Sequence, residues 1–193
     1  MKKKSVKSES NQIVLAIKVL QQGGTIAYPT EAVYGLGCDP KNISAIKNLL
    51  NIKKREKEKG LILVAANFEQ FKQYILPLEK SVEKKLRDSW ADTDLAITWL
   101  VPVSDTMSDY LKGQFDTLAI RVSHHPIVKE LCEKFGGAIV STSANVSTQE
   151  AARTAVQVKK IFDNKIDFIV EGETDMNAQP STICDALTNK IIR

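Results

Sequence analysis

Nine side chains between positions 30 and 181 are of types that bind charged ligands: Thr30, Lys53, Arg55, Thr117, Arg121, Ser141, Ser143, Asn145 and Ser181. They fall where strands are expected to end. Lysine offers a mobile point charge, and arginine a planar fork for carboxylate or phosphate. Serine and asparagine donors can hold phosphate oxygens. Together they suit a phosphorylated ligand that also bears a carboxylate. Each hydroxyl taken alone would as readily cap a turn. Arg121 is the most telling, because it interrupts the apolar run Leu118-Ala119-Ile120-Arg121-Val122, where a charge needs a partner.

Other chemistries find little support. The only histidines, His124 and His125, are adjacent and would face opposite sides of a strand. That argues against a metal site or a histidine-based triad. No serine sits in a G-x-S-x-G elbow, so covalent catalysis by the protein is not indicated. Cys38, Cys132 and Cys184 are far apart and form no C-x-x-C pair, which speaks against zinc and against a thioredoxin motif. An odd cysteine count without a secretory signal points to a reducing, cytoplasmic compartment. Met1-Lys2-Lys3-Lys4 has no apolar stretch behind it, and no run approaches membrane-spanning length, so no membrane is expected. With 193 residues, 43% hydrophobic and 26% charged, the chain suits one globular domain. The net charge of +4 is compatible with phosphate or nucleic acid as a ligand.

One stretch organises the rest, Tyr28-Pro29-Thr30-Glu31-Ala32-Val33-Tyr34-Gly35-Leu36-Gly37-Cys38-Asp39. It follows a short strand, Thr25-Ile26-Ala27, and precedes a helix over 43–53, so it reads as a strand-to-helix connection. Gly35 and Gly37 would allow close backbone approach or positive φ. Pro29 would stiffen the turn and place Thr30. It is not a dinucleotide fingerprint, because Pro40 stands where the third glycine belongs, and the chain has no P-loop.

The stretch does resemble the P-T-E-T-x-Y-G-L-G signature of the YrdC/Sua5 family of threonylcarbamoyl-AMP synthases, with Ala32 in place of a common threonine. The resemblance recurs in family order at Lys53-x-Arg55, at Leu118–Val122, at Ser141-Thr142-Ser143-Ala144-Asn145 and at Pro180-Ser181-Thr182-Ile183. It implies an α/β fold, a single-domain twisted mixed sheet flanked by helices with an open concave cleft, over residues 10–193. Residues 1–9 are expected as a flexible basic tail. It also implies an enzyme that joins L-threonine, bicarbonate and ATP, releasing diphosphate and the threonylcarbamoyl adenylate used for t6A at position 37 of tRNA. Thr30, Arg121 and Ser181 would hold threonine. Lys53, Arg55, Thr117, Ser141, Ser143 and Asn145 would hold ATP, with Lys53 and Arg55 as the catalytic charges. N-carboxylated threonine can itself attack the α-phosphate, so the protein need only align it and neutralise charge. Mg²⁺ would bridge the phosphates without a carboxylate cage. The expected partners are these substrates, tRNA or other RNA, and the downstream t6A-transferase proteins, with the chain itself a monomer.

The elements that must position these residues can be read from periodicity. Ser10 would cap a helix with Ile13, Ala16, Ile17 and Leu20 inward, ended by Gly23-Gly24. Further helices are expected from Ile43, after a capping box at Asn67-x-x-Gln70, at 79–90, after Ser104, at 126–135 and near 154–162. Strands are expected at 25–28, 61–64, 95–101, 117–122, 138–141, 168–170, 182–184 and 190–192. Their irregular alternation favours a mixed sheet.

Two departures from the family pattern stand out. Trp90–Thr98 lacks the prolines of W-P-G-P-x-T, which leaves the cleft wall there differently shaped. The loop Glu56-Lys57-Glu58-Lys59-Gly60 also lacks prolines and is expected to order over ATP. Two competing readings remain: a non-catalytic RNA-binding module using the basic Lys53–Lys59 run, and a carbamoyl-transfer domain like that of hydrogenase-maturation proteins. The first is weakened by an aromatic content of only 6%. The second lacks room for the zinc-finger and acylphosphatase-like parts.

Overall fold

The apolar spacing of Ile13, Ala16, Ile17 and Leu20 does give a helix with those residues buried, α1 (Val6–Gln21). In this computed structural model, which describes residues 6–92, 96–162 and 165–193, that helix starts at Val6. Ser10 therefore lies inside it rather than at its cap, and residues 1–5 of the expected tail lie outside those described.

The organising stretch is a hairpin, not a strand-to-helix connection. β1 (Ile26–Pro29) pairs antiparallel with β2 (Tyr34–Gly37), from Ile26 opposite Gly37 to Pro29 opposite Tyr34. Thr30 closes the turn by donating both its N–H, at 3.0 Å, and its hydroxyl, at 2.7 Å, to the Val33 carbonyl. Two glycines in four residues hide β2 from propensity, but strands on both sides hold it. Neither Gly35 nor Gly37 has positive φ. A Cβ at Gly37 would lie 2.5 Å from the Val140 carbonyl, so glycine serves close strand approach there.

α2 (Ile43–Lys53) is capped by Asn42, whose Oδ1 accepts from Ala45 N. Lys54 then takes a left-handed conformation (φ 50°) and the chain reverses. There follow β3 (Ile62–Ala65), α3 (Lys80–Ala91), β4 (Ile97–Pro102), α4 (Asp109–Lys112), β5 (Thr117–Val122), α5 (Pro126–Phe135), β6 (Ile139–Ser143), α6 (Ala155–Phe162), β7 (Phe168–Ile169) and β8 (Thr182–Asp185). Smaller expectations shift. Asn67 caps only a 3-10 turn, Phe68–Phe71. Ser108, not Ser104, caps α4. His124 and His125 follow β5 as the lead into α5, and residues 190–192 make a single bridge, Ile191 to Cys184. Part of the unusual Trp90–Thr98 segment, residues 93–95, lies outside the described residues.

The strands form one eight-stranded mixed sheet in the order β7-β1-β2-β6-β3-β5-β4-β8. β3 and β5 run parallel in its middle, with Ile62 beside Ala119 and Val64 beside Arg121. Alternation sends Leu63, Trp99, Val101, Leu118, Ile120 and Val140 into the larger core, against Ile46 and Leu49 of α2 and Leu86 and Trp90 of α3. Each fully buried Leu or Ile contributes about 1.5–3 kcal/mol. On the opposite face, α1 and α5 cover Ile26, Tyr28, Val64 and Ile139. They leave uncovered the part of that face carrying Ile62, Thr98, Leu100, Thr117, Ala119, Arg121 and Ser141, which line a cavity. Among the described residues no helix is long and apolar enough to cross a membrane.

Candidate functional site

The cavity over this bare half of the sheet measures about 530 Å³. Eight of the nine residues singled out from sequence line it: Thr30, Arg55, Thr117, Arg121, Ser141, Ser143, Asn145 and Ser181. Two strands, β5 and β6, and four connecting segments supply them, so only the folded sheet brings them together. Thr117 and Arg121 share a face because they are an even number of residues apart on β5. The same spacing puts them about 13 Å apart, at opposite ends of the cavity.

At one end stands the partner that Arg121 requires. Its Nη2 lies 2.8 Å from Oε2 of Glu31, a residue of the hairpin turn. Oε1 of Glu31 accepts from Ser123 Oγ at 2.8 Å and from His124 N at 3.1 Å. Burial alone would raise the Glu31 carboxyl, but Arg121 and these hydrogen bonds outweigh it and hold it below the ordinary carboxylate range. Ser181 shares a 2.8 Å hydrogen bond with the buried Thr98, tying the segment before β8 to β4.

The other end gathers cations. Arg55, Lys59, Lys112 and Arg193 all line it, and Glu31 is the only residue with a carboxylate side chain among the described lining residues. Burial, and then the charge of Arg193, pull the Arg55 guanidinium below its ordinary value. Arg55 is aimed by its own loop: Nε and Nη2 donate to the Gly60 carbonyl at 3.2 and 2.9 Å, and Nη2 also to Lys59 O. The expected mobile loop is a 3-10 turn, Lys57–Lys59, docked on α4 through Leu61 N to Leu111 O and Gln114 N to Glu58 O. Gly60 takes φ +61°, a conformation that favours glycine.

Lys53, expected to hold phosphate and act as a catalytic charge, is not in the lining. As the last residue of α2 it points inward and is only 2% exposed. The left-handed Lys54 reverses the chain, so Lys53 and Arg55 diverge. Lys53 Nζ donates to the carbonyls of Ser143 and Asn145 and, at 3.1 Å, to Asn145 Oδ1. Burial, with Arg55 nearby, pushes its ammonium down to about 7. The loop it pins is closed by Ser143 Oγ donating to Asn145 Oδ1 at 2.7 Å and Asn145 Nδ2 donating to Gln149 O at 2.7 Å. Lys53 thus supports two lining residues from beneath.

Glu31, Ser123, Lys59, Lys112 and Arg193 were missed as site residues. Glu31 sat within the organising stretch and Lys59 within the charged run, so both carried some signal. Lys112 and Arg193 carried none, because only the fold brings them beside Arg55. Among the described residues no group of three or more His, Cys, Asp or Glu side chains could hold a metal ion.

Comparison with known proteins adds a separate line. A family model described as "Telomere recombination" (Sua5, YciO, YrdC) matches residues 18–193. The threonylcarbamoyl-AMP synthase of Pseudoalteromonas translucida is 45% identical over 190 residues, covering 96% of this chain and 99% of its own. That of Nitrosococcus oceani is 42% identical over 182 residues, covering 94% and 97%. Among solved structures, P. abyssi Sua5 complexed with L-threonine superposes with a TM-score of 0.81 at 29% identity, over 90% of this chain. This chain spans 50% of that Sua5 chain. E. coli YciO shares the fold with a TM-score of 0.78 at 21% identity, over 95% of this chain and 88% of its own.

Proposed function

Because the chain belongs to the Sua5–YciO–YrdC family, we propose that it is a threonylcarbamoyl-AMP synthase, joining L-threonine, bicarbonate and ATP with release of diphosphate. The observation that carries the reading is the convergence of eight separately chosen residues on one cavity with two distinct ends. Threonine lies at the Arg121 end, with Thr30 and Ser181 beside it. The hydroxyl protons of the site are partly committed, as in the Thr30 turn, so these side chains chiefly shape and accept. The nucleotide lies toward Arg55, with Thr117, Ser141, Ser143 and Asn145 along its path, and the four cations there neutralise phosphate charge.

The reacting groups meet between the ends. N-carboxylated threonine attacks the α-phosphate, diphosphate leaves, and the fixed cations stabilise the charge that develops. Arg55 carries that role. Lys53 acts by holding the 143–145 loop in register. Mg²⁺ brought by the nucleotide would supply further charge neutralisation at the phosphates, beside Arg55. Glu31 is the only carboxylate side chain among the described lining residues, and one carboxylate makes no cage for the ion. The product feeds proteins that transfer the threonylcarbamoyl group to tRNA, in the cytoplasm, where the three free, buried cysteines stay reduced. The protein works as a monomer and can meet tRNA.

The test is diphosphate release from ATP, Mg²⁺, L-threonine and bicarbonate with each component omitted in turn. Release that needs both threonine and bicarbonate is expected. A folded protein that releases none, yet binds RNA, would return the RNA-binding module to first place.

A further inference from the structure

The Arg121–Glu31 pair is incompletely bonded. Nη2 stands 2.8 Å from Oε2, yet off the N–H axis, so this buried oxygen accepts no aligned hydrogen bond. Oε1 is different, being clamped by Ser123 and His124. Glu31 is the only charged partner of the guanidinium among the described residues, and Arg121 retains donors for a second one. A buried acceptor left open is unfavourable, and folded proteins keep few of them. Glu31 and Arg121 both line the same cavity.

We propose that Glu31 Oε2 receives the α-ammonium group of the amino-acid substrate while Arg121 takes its α-carboxylate. The pair then reads a free, zwitterionic α-amino acid. The inference rests on the reading that this cavity takes L-threonine. A zwitterion carries its two charges on one carbon, and Arg121 and Glu31 present the opposite signs side by side. The clamp on Oε1 fixes the direction of Oε2 before the ligand arrives, which lowers the ordering cost. Arg121 and the clamp also keep Glu31 ionised at neutral pH, as an ammonium partner must be. Glu31 thereby sets specificity for a free amine, the group that has to be carboxylated.

Calorimetry tests this with two ligands, L-threonine and the 2,3-dihydroxybutanoate of the same configuration, in which a hydroxyl replaces the amine. The wild-type protein is expected to bind threonine about 10- to 100-fold more tightly, the range for a hydrogen bond to a charged group. Glu31→Gln is expected to remove most of that preference while leaving the hydroxy acid within about threefold of its wild-type affinity. Equal wild-type affinity for the two ligands would overturn the proposal, and that comparison needs no variant to fold. Parallel losses for both ligands in Glu31→Gln would overturn it too, leaving Glu31 only as the holder of Arg121. A wild-type protein that turns over threonine without preferring the amine sinks this inference alone. One that neither binds nor turns over threonine sinks the functional reading as well.

Discussion

Arg121 and Glu31 offset each other's charge at one end of the cavity, whereas Arg55, Lys59, Lys112 and Arg193 meet at the other with no carboxylate side chain among the described lining residues there. Both ends rest on the same strands, and β5 contributes to each. The difference lies in what each end must hold. A zwitterion has no net charge and is matched by a pair. A triphosphate has several negative charges and is matched by four gathered cations, of which Lys59 and Lys112 pair only with exposed carboxylates outside the lining, Glu56 at 3.1 Å and Asp109 at 3.7 Å. Arg55 is fixed by carbonyl oxygens, which orient it without neutralising it.

The sharpest way to break the comparison is Arg55→Ala. Diphosphate release at saturating threonine should fall by about 10²–10³, the range for removing one preorganised charge stabiliser, while threonine binding measured without nucleotide stays close to wild type. Next comes Arg121→Ala. It should raise the KM for threonine by about a hundredfold, as for a charge-assisted pair, with a smaller effect on kcat. It should also cost stability, below the 3–5 kcal/mol typical of breaking a fully buried pair, because both side chains keep some exposure, 16% and 27%. A loss of kcat as large as that of Arg55→Ala would mean that the two ends do not act separately.

Lys53→Met probes the support beneath the nucleotide end. It removes three hydrogen bonds and leaves the Asn145 carbonyl without its Lys53 donor, while Asn145 Oδ1 keeps Ser143 Oγ and the Ser143 carbonyl keeps Asn145 N, so the 143–145 loop should loosen. Expected is about a tenfold drop in kcat/KM for ATP, equivalent to one hydrogen-bonded contact, with threonine affinity within twofold. Faster hydrogen exchange at 143–147 would accompany it. An unchanged loop and unchanged ATP kinetics would remove Lys53 from the site altogether.

The last test is of pH. The folded Lys53 ammonium titrates near 7 and the unfolded one near the ordinary 10.5. Between those values the unfolded chain holds more protons, so this residue makes stability rise with pH across that window. Thermal melts from pH 7 to 10 should show the wild type gaining on Lys53→Met. A constant gap would show that Lys53 keeps its proton in the fold.

Most of the elements were legible because their signals are local. The faces of α1, α2 and α5 follow from 3.6-residue spacing, and β3 and β5 from short apolar runs. β2 was not legible: Tyr34-Gly35-Leu36-Gly37 has the composition of a turn and becomes a strand only because β1 and β6 flank it. The site divides the same way. Arg121 announced itself as a charge within an apolar strand, but its partner lies 90 residues earlier in a turn, and nothing in the spacing identifies it.

Lys53 and Arg55 mark the boundary between the two kinds of information. Residue types, motif order and periodicity established an α/β chain with a phosphate- and carboxylate-binding set of side chains, because those properties belong to single residues and short segments. Which cation enters the cavity was decided by a left-handed turn at Lys54 and by the loop that closes over Lys53. The gathering of Lys112 and Arg193 beside Arg55, and the half-bonded contact of Arg121 with Glu31, were decided by the sheet order and by the helices that leave half a face bare. Burial, direction and pairing are relations between distant residues, and they exist only once the chain has folded.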